Sequence, residues 1–351
     1  MNSTGQLLVS GYTESPYGAG PGVVRFALSD DGTVGEQLAL STGVVNPSFM
    51  ALGGGALLAV EELPDGRIAA LDAGTLELAG RLPSGGADPA HLMLLGGDVW
   101  AANYSSGTAS VTPLDSLLGS TTAVPPVLLS HPGSGPVAGR QDESHAHQVT
   151  ATAWGTVLVS DLGADRVDEY SAESRVRLAS AELPPGTGPR HVALKGGFLL
   201  VAGELDGCVH VLIRSEADPV EGAGHVWRWL FKVPLAAAAG EIDAARDFAP
   251  SHIQLSGDGT KLYGAVRGPN TLVVLDVGGL VGATPAPPTF LRQVSCAGDW
   301  PRHFAVGRNR MYVANQRSNS VTVFDLDQDG LPLAEPLQTL EFGSPTCLVL
   351  S

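Results

Sequence analysis

The chain has 351 residues, of which 44% are hydrophobic and 16% charged, and it contains 45 glycines and 25 prolines. This composition favours an all-β protein with many tight turns, because glycine permits positive φ and proline fixes φ in turns. Twenty lysines and arginines against 36 aspartates and glutamates give a formal net charge of −16. That charge argues against nucleic acid or an anionic membrane as a partner.

The three cysteines, Cys208, Cys296 and Cys347, are scattered and share no metal-binding spacing. They predict reduced thiols rather than disulfides or a metal site. Residues 1–5 lack a basic segment followed by a long apolar run, and no window offers about 18 consecutive apolar residues. We therefore expect a soluble, cytoplasmic protein.

The N-terminal part of the chain predicts two strands, over residues 6–11 and 22–28, joined by a turn rich in glycine and proline. From residue 46 onward a four-residue phrase recurs, in which the second residue is usually proline and the fourth usually histidine. Its seven copies start at Asn46, Asp88, Ser144, Gly188, Ala249, Trp300 and Ser344. Copies followed by an apolar run, a turn and a hairpin have the pattern of a four-stranded propeller blade. We therefore predict that residues 1–351 form one domain, a seven-bladed β-propeller.

The two ends of the chain each contain part of a blade. The strands over residues 6–28 have no phrase before them, and the last copy, residues 344–351, has a strand but no hairpin after it. We expect the C-terminal strand to pair with the N-terminal strands, which would close the ring without a free edge.

Two insertions interrupt the regular spacing. Residues 117–144 are rich in proline, glycine and serine, and long loops of this kind often act as functional lids. Residues 216–250 include a stretch of helical composition, residues 235–246, for which we expect one short helix.

Aligning the copies gives columns of residues that occupy equivalent positions in each blade. The fourth position of the phrase reads Phe49, His91, His147, His191, His252, His303 and Cys347. A structural role at the start of each innermost strand explains this column. The third position is small except at Arg190 and Arg302.

A further column, about fifteen residues on, lies at the end of the next strand in each blade. It reads Tyr12, Glu62, Tyr104, Leu162, Glu204, Arg267 and Gln316. Such variety indicates a lined pocket, since purely structural columns of a repeat protein tend to be uniform. Solvated hairpin tips are the alternative explanation.

Blades four to six bring an unusual combination to this predicted pocket. They contribute His145, His147, Arg190, Glu204 and Arg267. A histidine, a glutamate and two arginines suit proton transfer beside a developing negative charge. The sequence has neither a serine nucleophile elbow nor a cluster of zinc ligands, so we expect no metal and no cofactor.

Several segments together resemble the seven-bladed lactonase family, which includes bacterial 6-phosphogluconolactonase of the propeller type and fungal carboxy-cis,cis-muconate cyclase. The resemblance covers nearly the whole chain. It is carried by residues 86–89 and 102–107, 140–147, 159–167, 188–191, 301–304 and 314–316. The catalytic residues that this resemblance implies are His147, Arg190, Glu204 and Arg267. We expect His145, Asn103, Tyr104, Arg302 and Gln316 to bind substrate.

The sequence departs from the family pattern at two places near these residues. Val266 precedes Arg267 where asparagine is common, and Gly203 precedes Glu204 where asparagine is frequent. Both changes remove an amide beside the predicted site, so they bear on the identity of the substrate more than on the chemistry.

The resemblance implies metal-independent hydrolysis of a sugar lactone, with 6-phosphoglucono-δ-lactone as the expected substrate. His147 or Glu204 would activate water, while Arg190 and Arg267 would stabilise the oxyanion or hold the phosphate. Arg302 could also bind phosphate, since an arginine suits its geometry. Two alternatives stay open: a cycloisomerase acting on a carboxymuconate, and a non-catalytic propeller scaffold. We expect a monomer or a weak homodimer.

Overall fold

The structure, a computed structural model, describes residues 5–122, 124–130, 132–216, 225–237, 248–307 and 309–351. Within these residues the strands form seven four-stranded sheets. The described residues contain one short helix, α1 (Leu114–Leu117). The predicted fold class, an all-β seven-bladed β-propeller, is confirmed.

The chain divides into two compact units. Unit 1 comprises the described part of residues 1–105, 110–128 and 294–351, and unit 2 that of residues 106–109 and 129–293. Three sheets of unit 1, in pairing order, are β28 (Pro345–Leu350), β1 (Gln6–Gly11), β2 (Val23–Leu28) and β3 (Val34–Ser41); β4 (Met50–Gly53), β5 (Ala56–Glu61), β6 (Arg67–Asp72) and β7 (Leu78–Pro83); and β24 (Pro301–Gly307), β25 (Arg310–Asn315), β26 (Ser320–Asp325) and β27 (Gln338–Glu341). The single-domain assignment stays a prediction.

Unit 2 holds three further sheets, apart from the last two residues of the final strand. In pairing order they are β12 (Ala146–Ala151), β13 (Thr156–Asp161), β14 (Arg166–Ser171) and β15 (Arg177–Glu182); β16 (Pro189–Lys195), β17 (Phe198–Gly203), β18 (Cys208–Glu216) and β19 (His225–Pro234); and β20 (Ala249–Leu255), β21 (Lys261–Arg267), β22 (Thr271–Asp276) and β23 (Thr289–Ser295). The seventh sheet takes most of its residues from unit 1. It consists of β11 (Val127–Ser130), β10 (Thr108–Pro113), β9 (Asp98–Asn103) and β8 (Pro89–Leu95).

Burial is graded across each sheet. The second strands β5, β13 and β17 are buried at every residue, whereas the outer strands β7 and β15 are largely exposed or half-buried. Continuous apolar runs suit strands that are covered on both faces. The core accordingly lies between successive sheets, as where Leu58 and Ile68 pack with Leu92 and Val99.

The recurring phrase has a backbone explanation. Its first residue adopts a positive φ in five copies, and each of these five is followed directly by proline. They are Asn46, Asp88, Gly188, Trp300 and Ser344. A left-handed residue turns the chain sharply, and the following proline cannot donate a backbone hydrogen bond. The phrase therefore marks the entry into the first strand of a sheet.

The ends of the chain meet within unit 1. Strand β28 pairs antiparallel with β1, placing Leu348 opposite Val9 and Val349 opposite Leu8. The backbone amide of Gln6 also donates to the carbonyl of Ser351 at 3.0 Å. The predicted closure by the C-terminal strand is confirmed.

The structure describes most of the first insertion and only part of the second. The first, residues 117–144, begins at the last residue of α1 and includes β11. The helix predicted over residues 235–246 lies, from residue 238 onward, outside the described residues. Where the chain is described, no helix is both long and apolar enough to cross a membrane.

Candidate active site

A buried carboxylate in unit 2 is the centre of the predicted catalytic group. Glu204 directly follows β17, and Arg190 is the second residue of β16, in a register that pairs Pro189 with Gly203. The turn is fixed by the amide of Glu204, which donates to the carbonyl of Gly188 at 2.9 Å. The antiparallel pairing therefore brings the arginine and the glutamate side by side.

Two of the predicted arginines bind the same carboxylate oxygen. Arg190 Nε lies 2.9 Å and Arg267 Nη2 2.7 Å from Glu204 Oε2. The backbone braces both guanidinium groups: Arg190 donates to the carbonyl of Ser251, and Arg267 Nε donates to that of Ala249 at 3.2 Å. Three of the four predicted catalytic residues are thus in direct contact.

A third arginine, which sequence reasoning did not place at the site, binds the other carboxylate oxygen. Arg140 Nη2 lies 2.5 Å from Glu204 Oε1. Its neighbour Gln141 is fully buried and donates from Nε2 to the carbonyl of Leu162 at 2.8 Å and to Asp165 Oδ1 at 2.7 Å. The buried glutamine anchors the loop and so positions Arg140. The signal in the sequence was the long insertion, together with the Arg-Gln pair inside it.

Electrostatics fix the protonation state of Glu204. Burial acts to raise its pKa, but the positive charges of Arg267, Arg190, His147 and Arg140 outweigh that effect and hold the pKa well below its ordinary value of 4.5. Glu204 is therefore ionised at neutral pH and is a weak base. Within this group of side chains, positive charge exceeds negative charge.

His147 lies in β12 and is buried. When its ring is protonated, its positive charge is one of those that lower the pKa of Glu204, which places the imidazole within electrostatic range of the carboxylate. Its ring packs edge-on against that of His191, with centroids 5.5 Å apart, and His191 Nδ1 lies 2.8 Å from His252 Nδ1. The structure thus associates His147 with the arginine-bound carboxylate and links it to two histidines of the same column.

The two departures from the family pattern have packing explanations. A Cβ atom at Gly203 would come within 2.2 Å of Asp206 Oδ1 and 2.9 Å of Thr187 Cγ2. Val266 is fully buried in the apolar core of unit 2, which includes Leu262 and Val273. Neither position places a polar side chain beside Glu204.

A second polar group lies in unit 1. The hydroxyl of Tyr12 donates to Glu62 Oε2 at 2.9 Å, and Arg302 Nη2 lies 3.2 Å from the same oxygen. Arg302 was predicted to bind substrate phosphate, but a carboxylate already stands beside its guanidinium group. Its role in phosphate binding stays a prediction, which this contact does not favour.

The remaining predicted substrate-binding residues differ in burial. Asn103 is fully buried, with Nδ2 3.5 Å from the carbonyl of Ser84, which does not favour contact with a substrate. Gln316 Oε1 is buried and accepts no hydrogen bond from the described residues. Tyr104 and His145 are half-buried, and both backbones form turn hydrogen bonds. Their roles in substrate binding stay predictions.

Thiolate chemistry has little support in this structure. The three cysteines are all buried, and none of them forms a disulfide bond. Burial raises the pKa of the Cys208 and Cys347 thiols to about 12 and that of Cys296 to about 11. Among the described residues no group of three or more His, Cys, Asp or Glu side chains is arranged to hold a metal ion.

Comparison with known proteins identifies the family. The model of the family "Lactonase, 7-bladed beta-propeller" matches residues 6–350. The chain belongs to this lactonase family. The resemblance inferred from the sequence is thereby confirmed, and this lactonase-family chain is an enzyme of the lactonase type.

Solved structures agree with the family assignment. The periplasmic gluconolactonase of Pseudomonas aeruginosa is 28% identical, with a TM-score of 0.83 over 99% of this chain and 98% of that one. A protein from Lactobacillus plantarum is 27% identical, with a TM-score of 0.81 over 99% of both chains. A candidate 6-phosphogluconolactonase from Bacteroides fragilis, at 24% identity and a TM-score of 0.79 over 100% of this chain and 98% of that one, supports the fold. No curated protein sequence matches the chain.

These relatives leave the location of this family member open. The Pseudomonas aeruginosa protein is periplasmic by its name. The cytoplasmic location inferred from the sequence therefore stays a prediction.

Proposed function

We propose that this chain hydrolyses a sugar δ-lactone of the glucono type by metal-independent general acid–base catalysis. The observation that carries the proposal is the buried Glu204, bound by Arg190, Arg267 and Arg140 with His147 in electrostatic range. Lactone opening generates an oxyanion, and preorganised cationic donors stabilise such charge most effectively in a buried site.

The state of Glu204 determines the assignment of the base. A carboxylate whose pKa is held well below its ordinary value is a poor proton acceptor near neutral pH, where general bases work best with a pKa close to the working pH. We therefore assign the base to His147. Glu204 holds the guanidinium groups of Arg190 and Arg267 in place, so its contribution is electrostatic.

The proposed reaction has two steps. His147 takes a proton from water as the water oxygen attacks the lactone carbonyl, and Arg190 or Arg267 stabilises the resulting tetrahedral oxyanion. The carbon–oxygen bond of the ring then breaks, and His147 returns the proton to the departing ring oxygen. The product is the open-chain hydroxy acid, and no metal or cofactor takes part.

The substrate proposal is narrower than the family assignment. The Pseudomonas aeruginosa relative is named a gluconolactonase, which supports a gluconolactone as the substrate. The 6-phosphate is the substrate expected from the sequence. Arg140 and Arg302 each lie beside a carboxylate, but the side chain of Arg140 is 43% exposed against 15% for Arg302, so Arg140 is the more accessible cation for a phosphate. A carboxymuconate cycloisomerase would use the same polar set, but no contact among the described residues favours it.

Acid release tests the proposal directly. Purified protein is assayed with glucono-δ-lactone, its 6-phosphate and a carboxymuconolactone, each with and without EDTA and each against the spontaneous rate. We expect hydrolysis of a glucono lactone that chelation leaves unchanged. Turnover of the muconolactone alone would replace the proposal with the cycloisomerase, and activity lost on chelation and restored by one divalent ion would overturn the metal-free mechanism.

A further inference from the structure

Four side chains of unit 1 form a polar and aromatic group that the proposed reaction does not use. Tyr12 and Arg302 both bind Glu62 Oε2, at 2.9 and 3.2 Å. The guanidinium carbon of Arg302 lies 5.1 Å from the centroid of the Tyr12 ring, and the ring of Tyr17 lies 5.5 Å from the same ring. We call Tyr12, Tyr17, Glu62 and Arg302 the Glu62 cluster.

One oxygen of the Glu62 carboxylate is left open. Both donors in the cluster bind Oε2, and nothing in the described part of the chain donates to Oε1. The side chain is 20% exposed. Because an ionised carboxylate only accepts hydrogen bonds, the open oxygen is suited to a ligand that brings donors.

An aromatic surface accompanies this acceptor. Tyr17 is 54% exposed, whereas Tyr12 beneath it is almost fully buried. Binding sites for small molecules commonly combine aromatic side chains with a few fixed polar groups. The exposed ring of Tyr17 can contact the carbon skeleton of a ligand whose hydroxyl groups reach Glu62.

The cluster is held in place by one residue of the recurring phrase. The side-chain oxygen of Asn46 accepts hydrogen bonds from the amides of Thr13 and Glu14, at 3.0 and 3.1 Å. The carbonyl of the same asparagine accepts from the amide of Glu62 at 3.1 Å. Asn46, at φ 46°, thus fixes the tyrosine-bearing loop and the glutamate together, and such preorganisation lowers the cost of binding.

We propose that the Glu62 cluster is a binding site for a neutral polyhydroxylated ligand, a polyol or sugar with adjacent hydroxyl groups. The hydroxyl groups donate to Glu62 Oε1, and the carbon skeleton lies against Tyr17. An anion is disfavoured, because the Glu62 carboxylate repels it and already stands beside the Arg302 guanidinium. The site is defined without reference to lactone hydrolysis, so it does not depend on that reaction.

Binding measurements test this site. D-glucitol is titrated into the full chain and followed by ligand-observed NMR, with 1,6-hexanediol and inorganic phosphate as comparison probes. Three variants are compared with the parent: Glu62→Gln keeps the shape and removes the charge, Tyr17→Ala removes the exposed ring, and Glu77→Gln is a matched control at an exposed glutamate. Thermal melting confirms that each variant is folded.

The proposal predicts that D-glucitol binds and 1,6-hexanediol does not. Glu62→Gln should weaken binding about tenfold or more, because a hydrogen bond to a charged group is lost. Tyr17→Ala should also weaken it, and Glu77→Gln should leave it unchanged. Glucitol binding that survives Glu62→Gln, no binding to the parent chain, or binding of phosphate in place of glucitol would each overturn the proposal. Because the readout is binding, the result is independent of whether the chain hydrolyses lactones.

Discussion

Two glutamates at the same position of their blades have opposite surroundings. Glu204 in unit 2 and Glu62 in unit 1 each follow directly after the second strand of a sheet. Glu204 is bound by three arginines and is almost fully buried, while Glu62 has one arginine, one tyrosine and an open oxygen. The first carboxylate is occupied by cations, and the second is available as an acceptor. A repeat can thus place the same residue type at the same position and obtain different chemistry from its neighbours.

The largest expected difference between the two regions is in rate. Arg190→Ala and Arg267→Ala should each lower kcat/KM for lactone hydrolysis by about 10² to 10³, because each removes a donor to the oxyanion. Arg190→Ala should in addition raise KM if Arg190 also holds an anionic group of the substrate. Arg302→Ala should lower kcat/KM less than tenfold. Equal losses in all three variants would contradict the division of roles.

The next difference is in stability. Glu204→Ala should lower the free energy of unfolding by about 3 to 5 kcal/mol, because Arg190 and Arg267 would stay buried without their carboxylate. Glu62→Ala should cost about 1 kcal/mol or less, since the Glu62–Arg302 pair is partly exposed. Urea denaturation of both variants measures the two costs. A similar loss in the free energy of unfolding at both positions would contradict the proposed difference between the buried and the partly exposed carboxylate.

Lowering the pH should remove the contribution of Glu204 to the stability of the parent chain. The folded pKa of Glu204 lies below its unfolded value near 4.5, so its contribution to stability is fully present above about pH 5.5 and is lost as the pH falls through 4.5 and below. Urea denaturation between pH 3 and 7 should therefore show the parent chain and Glu204→Gln converging in stability as the pH falls. A difference that stays constant over this range would contradict the lowered pKa.

The smallest expected effect is at the exposed arginine. Arg140 is 43% exposed, so Arg140→Ala should change the free energy of unfolding by less than about 1 kcal/mol. Its effect on kcat/KM should be larger with the phosphorylated lactone than with the plain one, if it contacts the phosphate. Steady-state kinetics with both lactones measures this ratio, and an unchanged ratio would remove Arg140 from phosphate binding.

Much of the fold could be predicted from the sequence, because the phrase depends on local chemistry. In five of the seven copies a left-handed residue followed by proline marks the entry into the first strand of a sheet, and the apolar runs mark the buried second strands. The column analysis also placed Arg190, Glu204 and Arg267 together, since register alone brings the first two side by side.

The rest could not be predicted, because it depends on side-chain direction and loop conformation. Arg140 lies in an insertion outside every column, and only the burial of Gln141 shows where its loop is anchored. Tyr12 and Glu62 stood in a predicted column, yet nothing in the sequence indicated that both would bind one oxygen together with Arg302.

The assignment of His147 as the base, with Glu204 as the anchor for the arginines, is tested most directly by the activity of His147→Ala. The control is His91→Ala, at the same column position in unit 1, where the ring packs on Phe49 with centroids 3.9 Å apart. His252 is unsuitable as a control because it hydrogen-bonds His191, which packs on His147. We predict that His147→Ala, confirmed as folded, loses about 10² to 10⁴ in kcat/KM and regains part of it with added imidazole, while His91→Ala keeps its activity. A folded His147→Ala variant within tenfold of the parent rate would contradict the assignment.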